Sequence, residues 1–163
     1  MRINGKDAVT HEGGCSCFRA DITDLCVAGD NEISIEVSNE DTPTMYPASA
    51  DFTFYGGLYR GVNLISVPET HFDLDYYSGP GIMVTPKPTE DGGADFTVQA
   101  FVTNAGDDFT VQYILEDPYG WEIAGAVRPS DNTAVTLHVP EAVLWSMDEP
   151  NLCLLYTSPR PRD

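Results

Sequence analysis

Positive charge is what this sequence has least of. Eight Lys+Arg stand against 26 Asp+Glu in 163 residues, a formal net charge of −18. Such a surface repels phosphate, so neither nucleic acid nor anionic membrane is expected as a partner. Long hydrophobic runs are also missing, and no apolar stretch approaches the roughly 20 residues that span a bilayer. No leader peptide is expected either, since Met1-Arg2-Ile3-Asn4-Gly5 runs straight into a turn. Cysteine is scarce: Cys15, Cys17, Cys26 and Cys153. Cys15 and Cys17 would share one strand face, too close for an ordinary bridge, so reduced thiols in a cytoplasmic protein are the expectation. His11, Cys15, Cys17 and Cys26 form a conceivable metal set, but the spacing matches no common zinc pattern, which favours paired C-x-x-C knuckles. Sustained helical periodicity is absent too. Only Thr23–Val27 is expected to form a turn, capped by Thr23 or Asp24.

What is present is β. Asn4-Gly5 is a strong two-residue hairpin signal, because both turn positions favour positive φ. Ile33, Ile35 and Val37 alternate with Glu32, Ser34, Glu36 and Ser38, the period of a half-buried strand. Further strands are predicted at Val62–Val67, Gly81–Pro86, Asp95–Thr103, Phe109–Glu116, Glu122–Arg128 and Thr133–Val139. Turn chemistry separates the later ones: Asn104-Ala105-Gly106-Asp107, Asp117-Pro118-Tyr119-Gly120 and Pro129-Ser130-Asp131-Asn132. Before about residue 78 the chain is rich in Gly, Cys and long loops. After it come short strands at regular spacing, which fits an immunoglobulin-like β-sandwich.

Three blocks carry a family resemblance. The first joins Asn4-Gly5-Lys6, His11-Glu12-Gly13-Gly14, Phe18-Arg19 and Asp21-Ile22-Thr23, with Gly29-Asp30-Asn31-Glu32 following. The second is Asp51-Phe52-Thr53-Phe54-Tyr55-Gly56-Gly57-Leu58-Tyr59-Arg60. The third is Leu144-Trp145-Ser146-Met147-Asp148-Glu149-Pro150-Asn151-Leu152. Together they resemble glycoside hydrolase family 2, and the second block is nearer the β-galactosidase form than the β-glucuronidase one. Gly61 departs from a frequent Asp of the family, and Cys15 from a common Tyr. The resemblance implies an all-β fold: residues 1–77 as the C-terminal part of a sugar-binding jelly roll, and residues 78–152 as an immunoglobulin-like sandwich. The jelly-roll strands before Asn4-Gly5 are expected to be missing.

For function, the resemblance implies a non-catalytic portion of a retaining β-galactosidase-like enzyme that hydrolyses terminal β-galactosides. No catalytic residue is expected in this chain. The two catalytic glutamates, roughly 5 Å apart in retaining enzymes, belong to a (β/α)₈ barrel of about 250 residues that this sequence does not contain. Asp148-Glu149-Pro150 is similar to the barrel's acid motif, but its place beside Leu144-Trp145-Ser146 marks it as a last turn of the sandwich. Asp51 is the expected substrate-binding residue and a candidate ligand of a monovalent cation. A carboxylate can accept two sugar hydroxyls and also coordinate a hard cation. Na⁺ and Mg²⁺ are implied for the full-length parent, and a homo-oligomeric parent is allowed. Phe52, Phe54, Tyr55 and Tyr59 are expected mainly to pack, as is Trp145 in the sandwich core. Arg60 is expected in a structural pair, and Gly56-Gly57 at a kink or close approach. His11, His71 and His138 are expected to be structural.

Residues 153–163, Cys-Leu-Leu-Tyr-Thr-Ser-Pro-Arg-Pro-Arg-Asp, resemble the translation of a sequencing-library adapter with one substitution at Arg160. They are therefore expected to be a non-native tail. Two other function classes remain open at this level: a stand-alone carbohydrate-binding module, and a β-sandwich adhesion or interaction protein. Galactoside titration and the genomic continuation distinguish them.

Overall fold

The computed structural model describes residues 1–14, 16–40, 51, 53 and 55–161. The chain divides into two compact units, Met1–Ile65 and Ser66–Asp163. The first is built on the predicted hairpin. Asn4 and Gly5 hold φ of 52° and 78°, and they join β1 (Arg2–Ile3) to β2 (Lys6–Asp7). β3 (Ile33–Ser34) pairs with the other side of β1, giving the order β2-β1-β3. Ile3 is the buried hydrophobic residue of this unit among those described.

Two asparagines hold the loops in place. Asn4 Nδ2 donates to Leu25 O (3.0 Å) and to Asn31 Oδ1 (2.9 Å), while its Oδ1 accepts from Glu32 N at 3.0 Å. Asn31 Oδ1 also accepts from Val27 N at 2.8 Å, and its Nδ2 donates to Val27 O and Gly29 O. The predicted turn is a 3-10 helix at Thr23–Leu25. Neither expected cap makes it; Asp21 Oδ1 accepts from Thr23 N at 2.9 Å instead.

The second unit begins ahead of residue 78, because β4 (His71–Phe72) pairs with β7 (Val102–Thr103). Its main body is a sandwich of two antiparallel sheets. One sheet holds β5 (Ile82–Pro88), β6 (Ala94–Ala100) and β10 (Val135–Val139) in the order β10-β6-β5. The other holds β8 (Phe109–Glu116), β9 (Glu122–Pro129) and β11 (Leu154–Pro161) in the order β11-β8-β9. Alternate residues of both sheets meet in one core: Val98, Ala100, Val135, Leu137 and Val139 against Val111, Tyr113 and Leu115. This is the period-2 pleat expressed as burial.

Every proline inside these strands lies on an edge strand: Pro86 and Pro88 in β5, Pro129 in β9, Pro159 and Pro161 in β11. Their phase is consistent. Phe101 N donates to Gly81 O and Thr89 N to Gly93 O, so odd residues of β5 bond to β6, and Pro86 and Pro88 face outward. Ser130 N donates to Phe109 O, so odd residues of β8 bond to β9 and even ones to β11. That register leaves the nitrogens of Pro129, Pro159 and Pro161 pointing away from β8 as well. A residue without an N–H costs nothing at such positions. The segment expected to be a foreign tail thus occupies the final strand of the sandwich, paired with β8 from Leu154↔Glu116 to Pro161↔Phe109.

Two core assignments change. Trp145 is 59% exposed, not part of the core, which Val98, Val111, Leu115 and Leu137 fill. Ile33 is 51% exposed, since no second layer faces β3 among the described residues of its unit.

The tight turns carry carboxylates held in the charged form. Asp91 Oδ1 accepts from the Thr89 hydroxyl at 2.5 Å and from Gly93 N at 3.1 Å. Asp131 Oδ1 accepts from the Thr133 hydroxyl at 2.6 Å and from Thr133 N at 3.0 Å. The threonine hydroxyls first, then the backbone amides, hold both carboxyls below the usual carboxylate range. Bonds that favour the charged form stabilise the fold fully above the ordinary carboxylate pKa of about 4. This contribution is lost as pH falls through the lowered values. The acid limb of a urea-denaturation series is therefore expected to flatten when Asp91→Asn and Asp131→Asn are combined.

Candidate functional site

The candidate site is the stretch around Asp51, and the first unit presents it to solvent. Asp51 is exposed at a bend. Among the described residues from 53 to 67 no strand forms, and bends fall at Gly57 and Arg60. Gly56 and Gly57 fulfil the expected close approach and kink. A Cβ at Gly56 would lie 3.3 Å from Asn39 Cγ, and Gly57 has φ of 104°. Tyr55 and Tyr59 depart from the packing expected of them, at 83% and 72% exposure. Strand alternation sends side chains inward only where a second layer exists, and among the described residues none faces these two. Phe52 and Phe54 lie outside the described residues. Arg60 places its guanidinium 5.6 Å from the Tyr59 ring centroid, so the contact it makes is a cation–π one.

The chemistry of this stretch is an exposed carboxylate, two exposed phenol rings and a guanidinium within ten residues. A carboxylate accepts hydroxyl hydrogen bonds, and an aromatic face can lie against the C–H face of a sugar ring. One carboxylate does not complete a cation site, because hard cations take about six or more oxygens. Among the described residues no group of three or more His, Cys, Asp or Glu is arranged to hold a metal. Cys17, Cys26 and Cys153 are free thiols, and Cys15 lies outside the described residues.

The histidines have structural contacts. His11 stacks on Phe18 at 4.4 Å between ring centroids. His71 Nδ1 lies 2.9 Å from Pro68 O. His138 Nδ1 lies 2.7 Å from Asp95 Oδ1, with Asp91 Oδ2 3.8 Å from its Nε2. The Asp117 side chain, read from the sequence as a turn residue, fixes a hairpin by accepting from Tyr119 N (2.8 Å) and Trp121 N (2.9 Å). That hairpin displays Tyr119 and Trp121 at 87% and 73% exposure, a feature the turn signal alone does not reveal.

Comparison with known proteins places this geometry in context. No family model matches the chain. The crystal structure of an FMN-binding β-glucuronidase from Faecalibacterium prausnitzii L2-6 is 71% identical to it with a TM-score of 0.93, over 99% of this chain and 25% of that one. The β-glucuronidase of Rattus norvegicus is 32% identical over 168 residues, 88% of this chain and 24% of that protein. The β-galactosidase of Clostridium acetobutylicum is 29% identical over 164 residues, 99% of this chain and 17% of that protein. The chain belongs to glycoside hydrolase family 2. It spans a quarter or less of the length of these relatives. Within this family 2 chain the fold is all-β throughout the described residues, apart from two short 3-10 helices. All its strand pairs are antiparallel, so the parallel strands of a (β/α)₈ barrel are absent from the described residues.

Proposed function

We propose that this chain is a non-catalytic portion of a retaining β-glycosidase whose complete parent hydrolyses terminal β-glucuronides. The observation that carries the sugar is the 71% identity, over 99% of the chain, to a protein named a β-glucuronidase. The aromatic block at Asp51–Arg60 favours a second reading, hydrolysis of terminal β-galactosides. In either case catalysis belongs to a barrel supplied by the rest of the parent, and the fragment alone is inactive. Asp51 reaches the substrate pocket from outside that barrel and accepts sugar hydroxyls. In the parent it would also give one carboxylate oxygen to a Na⁺ site completed by other segments, with Mg²⁺ held elsewhere. The F. prausnitzii protein is named as FMN-binding, and flavin titration of the complete parent tests whether the parent shares that property.

The deciding measurement is kcat/KM of the complete parent on 4-nitrophenyl β-D-glucuronide and 4-nitrophenyl β-D-galactoside. A preference for the glucuronide of about 10²-fold is expected, the scale that one hydrogen bond to a charged group, about 1.5–3 kcal/mol, supplies. The reverse preference selects the galactoside reading, and turnover of neither rejects both.

A further inference from the structure

We propose that Asn4-Gly5 is a self-modification site, where the Asn4 carboxamide deamidates to an aspartyl or isoaspartyl residue, and that Asn31 is the latch holding it shut. Asn4-Gly5 is the only Asn-Gly pair in the sequence. Glycine shields its own amide nitrogen least from the preceding side chain, because it has no Cβ. The surroundings are open too. Nothing lies within 4 Å of where a Gly5 Cβ would stand, and both residues are exposed to water. Water and hydroxide are the only other reactants. The Gly5 nitrogen loses its proton to hydroxide and attacks Asn4 Cγ, closing a succinimide ring as the Cγ–Nδ2 bond breaks. Nδ2 takes a proton and leaves as ammonia, and water then opens the ring at either carbonyl.

The fold restrains the leaving group. Asn4 Nδ2 donates to Leu25 O at 3.0 Å and to Asn31 Oδ1 at 2.9 Å, while Oδ1 accepts from Glu32 N at 3.0 Å. Ring closure turns the carboxamide and expels Nδ2, so these bonds must open first. The product does not fit back. A carboxylate at position 4 has lost both donors and sets an oxygen against Leu25 O and Asn31 Oδ1. Asn31 cannot offer its own amide in exchange, because turning it would break its bonds to Val27 N, Val27 O and Gly29 O. The isoaspartyl form also adds a backbone methylene within the turn, against the Ile3↔Lys6 register. Modification therefore frees the loop before β3 from β1 for good. Asn104 and Asn132 share the left-handed backbone, with φ of 53° and 59°. The side chains of Ala105 and Thr133 follow them, so they serve as internal controls.

The test holds the full chain in mildly alkaline buffer and follows the tryptic peptide Ile3–Lys6, released by cleavage after Arg2 and Lys6. Mass spectrometry reads replacement of NH₂ by OH, and chromatography separates the aspartyl and isoaspartyl forms. The chain unfolded in guanidinium chloride should react about tenfold faster or more than the folded chain. Asn31→Ala should recover most of that acceleration without denaturant. Asn31→Asp keeps the accepting Oδ1 and should stay near the native rate. Asn104 and Asn132, mapped in parallel, should lag behind Asn4 in the unfolded chain. An intact position 4 in the unfolded chain, equal rates folded and unfolded, an unchanged rate in Asn31→Ala, or controls reacting as fast as Asn4 would overturn the proposal. If Asn31→Ala unfolds the unit, Asn31→Asp decides: a native rate supports the latch and the unfolded rate refutes it.

Discussion

Gly81→Ala is expected to destabilise the second unit by roughly 2–5 kcal/mol. Gly81 holds φ of 72°, and a Cβ there would lie 2.6 Å from Asp73 O and 2.8 Å from Asp73 N. Left-handed backbone costs a non-glycine residue about 1–2 kcal/mol, and forcing atoms into a filled space about 1–3 more. The obstructing atoms are backbone, so they cannot swing away. They are also committed, since Asp73 N donates to Phe101 O at 2.8 Å and Asp73 Oδ1 accepts from Asp75 N and Tyr76 N. Gly106→Ala is the matched control. Nothing lies within 4 Å of the place its new methyl group would take, so the change should be neutral or slightly stabilising. Urea denaturation followed by Trp121 and Trp145 fluorescence measures both, and equal midpoints for the two variants would refute the steric account.

Asp51→Ala in the complete parent is expected to raise KM and lower kcat together. A hydrogen bond from a sugar hydroxyl to a carboxylate contributes about 1.5–3 kcal/mol, so each one lost should lower kcat/KM by roughly 10- to 150-fold. Asp51→Asn keeps one acceptor oxygen and should fall less. If Asp51 acted only on the fold, both variants would lower thermal stability and leave the kinetics of the folded fraction unchanged. Steady-state kinetics beside a melting curve separates the two, and unchanged kcat/KM removes Asp51 from the site.

Legibility from sequence follows the presence of a second layer. The pattern predicts β8 at its observed bounds, Phe109–Glu116, because Val111, Tyr113 and Leu115 meet an opposing sheet and turn residues flank both ends. The alternation from Ile33 to Val37 is just as clean, yet only Ile33–Ser34 pairs. Burial of Ile3 alone, among the described residues of that unit, gives alternation nothing to face. β5 runs on through Pro86 to Pro88, past its predicted end, because proline is harmless on an outward edge and sequence does not say which strand will be the edge. At the candidate site, the block of residues points to the family, and the Gly56-Gly57 kink is readable from glycine itself. The exposure of Tyr55 and Tyr59 is not, since it depends on what covers the segment rather than on the segment. The roles of Asn4 and Asn31 also escape, because an asparagine in a turn signals φ but not which distant loop its amide will hold.

The outward phase of the edge prolines has a further consequence for how copies of this chain meet at high concentration. Intermolecular sheet growth needs a row of donors on an exposed edge, and Pro86, Pro88, Pro129, Pro159 and Pro161 interrupt that row on three edges of the sandwich. In the first unit residues 55–65 carry no proline, and Leu58, Val62, Leu64 and Ile65 are all 47% or more exposed. Association between copies is therefore expected to start at this apolar stretch, and lysine or proline placed among those four residues should suppress it, as light scattering at rising protein concentration would measure.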